Sequence, residues 1–141
     1  MKMIDVKSLY EKYCVRESDG KYYCEKDGHT YDIVPAKETE LDTFKSNCES
    51  NNVPREIKED LSAYFLQNNN FFNYYSCDDI GIFEWWNDYK ELWLGCVDMD
   101  VFRYSSDLGK YTIGSAGDVS YGEKYEFDTI EEMLVAHFNG I

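Results

Sequence analysis

Apolar residues shift between a strand-like and a helical period along the chain, and the shift is sharpest in the C-terminal half. Leu92 to Tyr104 is dense in Trp, Leu, Val, Phe and Tyr, the types that suit a pleated, half-buried surface. This run is longer than a usual strand, and Gly95 and Asp98 are the points where a bulge or break fits. From Val97 to Arg103 the residues alternate. Val97, Met99, Val101 and Arg103 fall on one face; Asp98, Asp100, Phe102 and Tyr104 fall on the other. Ser105 to Gly109 is a turn cluster, so Tyr111–Ile113 should return antiparallel. Gly114, Gly117 and Gly122 allow close backbone approach or positive φ, and Glu123–Phe127 supplies another short strand. Asp128 followed by Glu131 reads as a capping box. Ile130, Met133, Leu134 and Phe138 then recur at helical spacing and should pack on the sheet.

The N-terminal half carries the same two periods. Ile4 to Tyr13 has Val6, Leu9, Tyr10 and Tyr13 along one helical side, and Ser18-Asp19-Gly20 ends that segment. Lys21 to Val34 reads as a hairpin around Asp27-Gly28, a preferred type I′ turn pair. Such a turn sets Cys24 opposite Tyr31 and Tyr22 opposite Ile33, giving one apolar face. Lys37 to Cys48 is a helix with Leu41, Phe44 and Cys48 inward, interrupted by Asn51-Asn52. Pro54 suits the first turn of the next helix, along which Ile57, Leu61, Tyr64 and Phe65 recur. Gln67 to Asn70 is a polar stop. Ile80–Glu84 is expected as a strand, and Trp85 to Asp88 as a loop.

The order is hairpin, helices, strands, helix, with no repeat and no linker. Segregated elements of this kind predict a single α+β domain. Its antiparallel sheet holds Ile80–Glu84, Leu92–Tyr104, Tyr111–Ile113 and Glu123–Phe127, with helices Thr39–Cys48, Pro54–Gln67 and Thr129–Phe138 packed against it.

Composition narrows the class. A 141-residue chain with 43% hydrophobic and 30% charged residues can bury one core and is not a disordered segment. No apolar run reaches membrane-spanning length, and MKMIDVKSLYEKY lacks a signal-peptide core, so a cytoplasmic protein is expected. Cys14, Cys24, Cys48, Cys77 and Cys96 are odd in number and never in C-x-x-C spacing. That favours reduced thiols and argues against zinc. A formal net charge of −14 argues against nucleic acid, whose phosphates it would repel, and admits a basic protein partner. Solubility alone would account for the same charge.

The segment VPREIKEDLSAYFLQNNN resembles the opening of the SUKH superfamily, which includes the yeast cell-wall-assembly regulator and many bacterial immunity proteins. Val53-Pro54 stands for the family's Leu-Pro, with Leu61, Phe65 and Asn68 to Asn70 following. The later strands, the corner Ile113 to Asp118 and the closing D-T-I-E-E-M-L helix are similar too. The resemblance covers roughly Thr39 to Phe138, within a core of residues 37–141; residues 1–36, with the hairpin, form an extension outside the usual family core. It implies a curved α+β sheet, no catalysis, and a protein partner, often a toxin.

The candidate chemistry is sparse. Asp98 and Asp100 would share a strand face, with Asp78, Asp79 and Glu84 able to join them. One D-x-D lacks the ligand count that Mg²⁺ or Ca²⁺ needs, so no metal is expected there. There is no G-x-S-x-G elbow and no phosphate loop after Gly114-Ser115-Ala116-Gly117, and His29 and His137 read as structural. Trp85 and Trp86 beside Glu84 and Asp88 have the makings of an aromatic anchor with an acidic rim. The expected function is a non-enzymatic acidic module, an immunity protein against a basic toxin on the resemblance. A regulatory scaffold and a small carboxylate-dependent hydrolase are the alternatives. The expected binding residues are Asp78, Asp79, Glu84, Trp85, Trp86, Asp88, Asp98 and Asp100.

Overall fold

The computed structural model describes residues 3–115 and 124–140, with the side chain of Lys124 outside the description. The chain is an α+β domain. Helix α1 (Val6–Tyr13) leads into β1 (Val15–Ser18), β2 (Lys21–Cys24) and β3 (His29–Asp32), a three-stranded antiparallel sheet. Helices α2 (Glu38–Ser50), α3 (Arg55–Phe65) and α4 (Ile82–Tyr89) follow. Then β4 (Glu91–Val97), β5 (Asp100–Ser105), β6 (Lys110–Ser115) and β7 (Lys124–Phe127) form an antiparallel meander, and α5 (Ile130–Phe138) closes the chain.

Helices α2 and α3 form as the periodicity predicts, with Leu41, Phe44 and Cys48 buried on one and Leu61, Tyr64 and Phe65 on the other. Their rings meet edge-on at Phe44–Phe65, 5.0 Å apart, and Tyr64 stacks on Phe71 at 4.0 Å. The polar stop after α3 also joins parts of the fold. The Gln67 side chain accepts from the Val6 amide at 2.8 Å and donates to the Ile4 carbonyl at 2.7 Å, which fixes the start of α1. Among the described residues one hydrophobic cluster runs from Val6 to Phe138.

Several expectations are corrected. Ser18-Asp19-Gly20 is a hairpin corner, because the chain turns back there from β1 into β2. Strand β1 shows no alternation, since all four of its residues are exposed. The Asp27-Gly28 pair does not make a two-residue turn. Cys24 pairs with His29 and Tyr22 with Tyr31, so the loop has four residues. Asp27 folds its carboxylate back to accept from the His29 amide at 2.8 Å, and Gly28 at φ +76° donates to the Cys24 carbonyl at 2.8 Å. The apolar face survives the change: Tyr22, Cys24 and Tyr31 are buried.

The expected strand Ile80–Glu84 and loop Trp85 to Asp88 are instead a short lead-in and α4. Ile82 and Trp86, one helical turn apart, take the buried side. A left-handed Lys90 at φ 57° ends the helix. The long run Leu92 to Tyr104 is two strands. Val97 pairs with Asp100 across a turn made by Asp98 and Met99, and Asp98 sits at φ 53°. The register slips between Trp93 and Gly95. There Phe71 crowds the backbone so closely that a Cβ on Gly95 would lie 2.6 Å from its carbonyl oxygen. The cap of α5 is Thr129, whose hydroxyl accepts from the Glu132 amide at 3.1 Å; Asp128 pairs with Lys110 instead. Gly117, Gly122, Glu123 and the corner beyond Ser115 lie outside the described residues. Among the described residues no helix is long and apolar enough to cross a membrane.

Candidate functional site

Helix α4 carries four of the eight residues singled out from sequence. Its turns set Glu84 and Asp88 on the solvent side, one helical turn apart, and Phe83 and Asn87 beside them. Trp86 turns inward and is only 5% exposed, so its indole belongs to the core. Trp85 is half-buried: its ring stacks on Trp93 at 4.2 Å, and Trp93 in turn lies under the Arg103 guanidinium at 4.8 Å. The open aromatic on this face is Phe83, 66% exposed, with Tyr89 exposed at the helix end. Sequence reasoning passed over Phe83 because a strand reading leaves it no special face. A helical period through Ile82 and Trp86 would have turned it outward.

The other four candidates stand elsewhere on the chain. Asp78 and Asp79 belong to a single 3-10 turn, Cys77–Asp79, and share the Ser76 hydroxyl at 2.6 and 3.0 Å. Asp98 occupies the β4–β5 turn, 3.1 Å from His29 Nε2 of the N-terminal hairpin. Asp100 starts β5 and is half-buried. The turn at Asp98 therefore removes the shared strand face on which the D-x-D reading rested.

A second cluster was not anticipated. His137, the inward residue one helical turn beyond Met133 and Leu134 in α5, reaches the β2–β3 loop. Its Nε2 lies 2.7 Å from Asp27 Oδ2, and both side chains are over nine-tenths buried. The Tyr31 hydroxyl donates to the same carboxylate oxygen. Burial pushes the Asp27 carboxyl upward. The bonds from the Tyr31 hydroxyl, the His29 amide and His137 outweigh it and hold the group below its ordinary value. An ionised carboxylate only accepts, so Nε2 carries the proton. The other ring nitrogen, Nδ1, is buried without a hydrogen-bond partner.

Cys24 lies beside this pair. Its sulfur, an Asp27 oxygen and a His137 nitrogen all fall within 4.8 Å of one another. A cysteine nucleophile does not follow from this arrangement. The thiolate is the reactive form, and Cys24 is 1% exposed with burial holding its thiol protonated. A signal for the cluster was present in sequence, as an inward histidine position on α5 and an Asp-Gly loop. Nothing local linked residues 110 positions apart.

No protein-family model matches the chain, and no curated protein or solved structure matches it either.

Proposed function

We propose that this protein is a non-enzymatic binding module that takes a basic protein partner on the solvent face of α4. The observation that carries the reading is Phe83, a 66% exposed ring on the same open side as Glu84 and Asp88. An aromatic set among carboxylates is the composition of an interface anchor with a charged rim. The chain's net charge of −14 supplies a field that speeds encounter with a cationic surface. Asp78 and Asp79 extend the acidic character nearby in the sequence. Trp85 supports the patch from beneath through its stack on Trp93.

The resemblance to the SUKH superfamily refines this reading to an immunity protein that neutralises a basic toxin in the cytoplasm. The five free cysteines suit that reducing compartment. A hydrolase using Asp98 and Asp100 gains no support, since the two carboxylates flank a turn.

The test is covalent cross-linking of the full chain in cells of its source, followed by capture and peptide mapping. The reading expects a basic protein whose cross-links converge on α4, and its loss with Phe83→Ala combined with Asp88→Asn. A partner that cross-links to another face and is captured equally by that variant overturns it.

A further inference from the structure

We infer that Cys14, Cys24, Asp27 and His137 form a binding site for one divalent transition-metal ion, with Zn²⁺ the fitting occupant. The donor atoms are already gathered. Cys24 Sγ, an Asp27 oxygen and a His137 nitrogen lie within 4.8 Å of one another. Donors around tetrahedral zinc, at bond lengths of about 2.0–2.3 Å, stand about 3.5 Å apart, so closure needs only small side-chain shifts. Cys14, at the end of α1, lies beside Cys24 but outside that set of three, so its thiol would swing in to supply the fourth donor. Two sulfurs, one imidazole and one carboxylate select zinc over calcium or magnesium, which take oxygen ligands.

The surroundings are built for these ligands. The four-residue loop that carries Asp27 is held by the Gly28–Cys24 backbone bond. The His137 ring is wedged against Phe72 and Phe102, 4.6 and 5.3 Å away. Its Nδ1 is a buried nitrogen without a hydrogen bond, while Asp27 holds Nε2. On binding, the Asp27–Nε2 hydrogen bond gives way to one bond from each group to the ion, and the ring proton moves to Nδ1.

Two plainer readings compete. The cluster could be a hydrogen-bonded plug between loop and helix, or Cys14 and Cys24 could form a disulfide. Metal binding releases the two thiol protons as two metal–sulfur bonds form, with no change of oxidation state. A disulfide also loses both protons but needs a two-electron oxidant, and the plug releases none. Both thiols must lose their protons to bind the ion, so metal uptake should weaken as pH falls.

The experiment uses the full chain, stripped with a chelator under a thiol reductant and titrated with Co²⁺. The inference expects one equivalent to give the intense visible bands of a tetrahedral ion and a thiolate charge-transfer band, both erased by Zn²⁺. Cys24→Ser and the milder Cys14→Ser, made at the half-buried position, should each weaken Co²⁺ binding at least tenfold. Cys96→Ser should leave it unchanged. Circular dichroism checks that each variant is folded; if Cys24→Ser is not, Cys14→Ser decides. Absence of a stoichiometric tetrahedral spectrum, or equal binding by Cys14→Ser, overturns the inference. A Cys14–Cys24 disulfide in the isolated protein, with no Co²⁺ uptake after its reduction, overturns it too.

Discussion

Single residues show where local reading succeeds and where it stops. Gly95 was legible as a bulge point, but its reason was not: the Phe71 backbone comes from a separate loop. Gly95→Ala must push that backbone aside, because the added carbon would meet a carbonyl oxygen at 2.6 Å. It should destabilise by about 1–3 kcal/mol, the range for overpacking, read as a lower urea midpoint with unchanged slope. Asp27 makes a second residue-scale prediction. Its folded pKa lies below the ordinary 3.8. Its contribution is therefore present above the ordinary value and is lost as pH falls through the lower folded one. Asp27→Asn should lower stability at neutral pH and flatten its decline between about pH 5 and about pH 2. Urea midpoints that fall in parallel for both proteins over that range would count against the pairing with Tyr31 and His137.

At the scale of elements, period and punctuation decided most of the outcome. Helices α2, α3 and α5 were legible because Leu41, Phe44 and Cys48, or Met133, Leu134 and Phe138, recur at a clean helical interval. Helix α4 was misread because its apolar run is short and all-round, with Ile82, Phe83, Trp85 and Trp86 close together. Such runs suit either period, and packing on β4 selects the helix. Strand β1 was invisible since none of its residues is buried. The α4 terminus carries its own prediction. Lys90 holds a left-handed conformation at φ 57° in an exposed position, where glycine escapes the Cβ penalty. Lys90→Gly should therefore raise stability, by up to about 1 kcal/mol, measured as a higher thermal midpoint. A drop in that midpoint would mean that the lysine side chain contributes there.

For the whole molecule, the α+β class and the antiparallel meander were readable from sequence, while the joining of its two ends was not. Tyr10 and Tyr13 of α1 meet Phe138 of α5 at 5.0 and 5.9 Å, and Asp27 meets His137. These contacts tie the three-stranded sheet to the helix that packs on β6 and β7. They are set by chain topology, which no local pattern encodes. The candidate binding face has the same character. Acidic and aromatic residues between Tyr74 and Asp88 were visible as a composition, yet the fold alone assigns Trp86 to the core and Phe83 to solvent. The central claim is that this face binds a cationic protein through an aromatic anchor, with charge assisting. Its most direct test is an equilibrium titration of the cross-linked partner against wild type and Phe83→Ala, each at low and high salt. The account predicts at least about a tenfold loss of affinity for Phe83→Ala, as for an interface anchor, and weaker wild-type binding as salt rises. Affinity within about twofold of wild type, below the 1.4 kcal/mol of a tenfold change, together with indifference to salt, would contradict it.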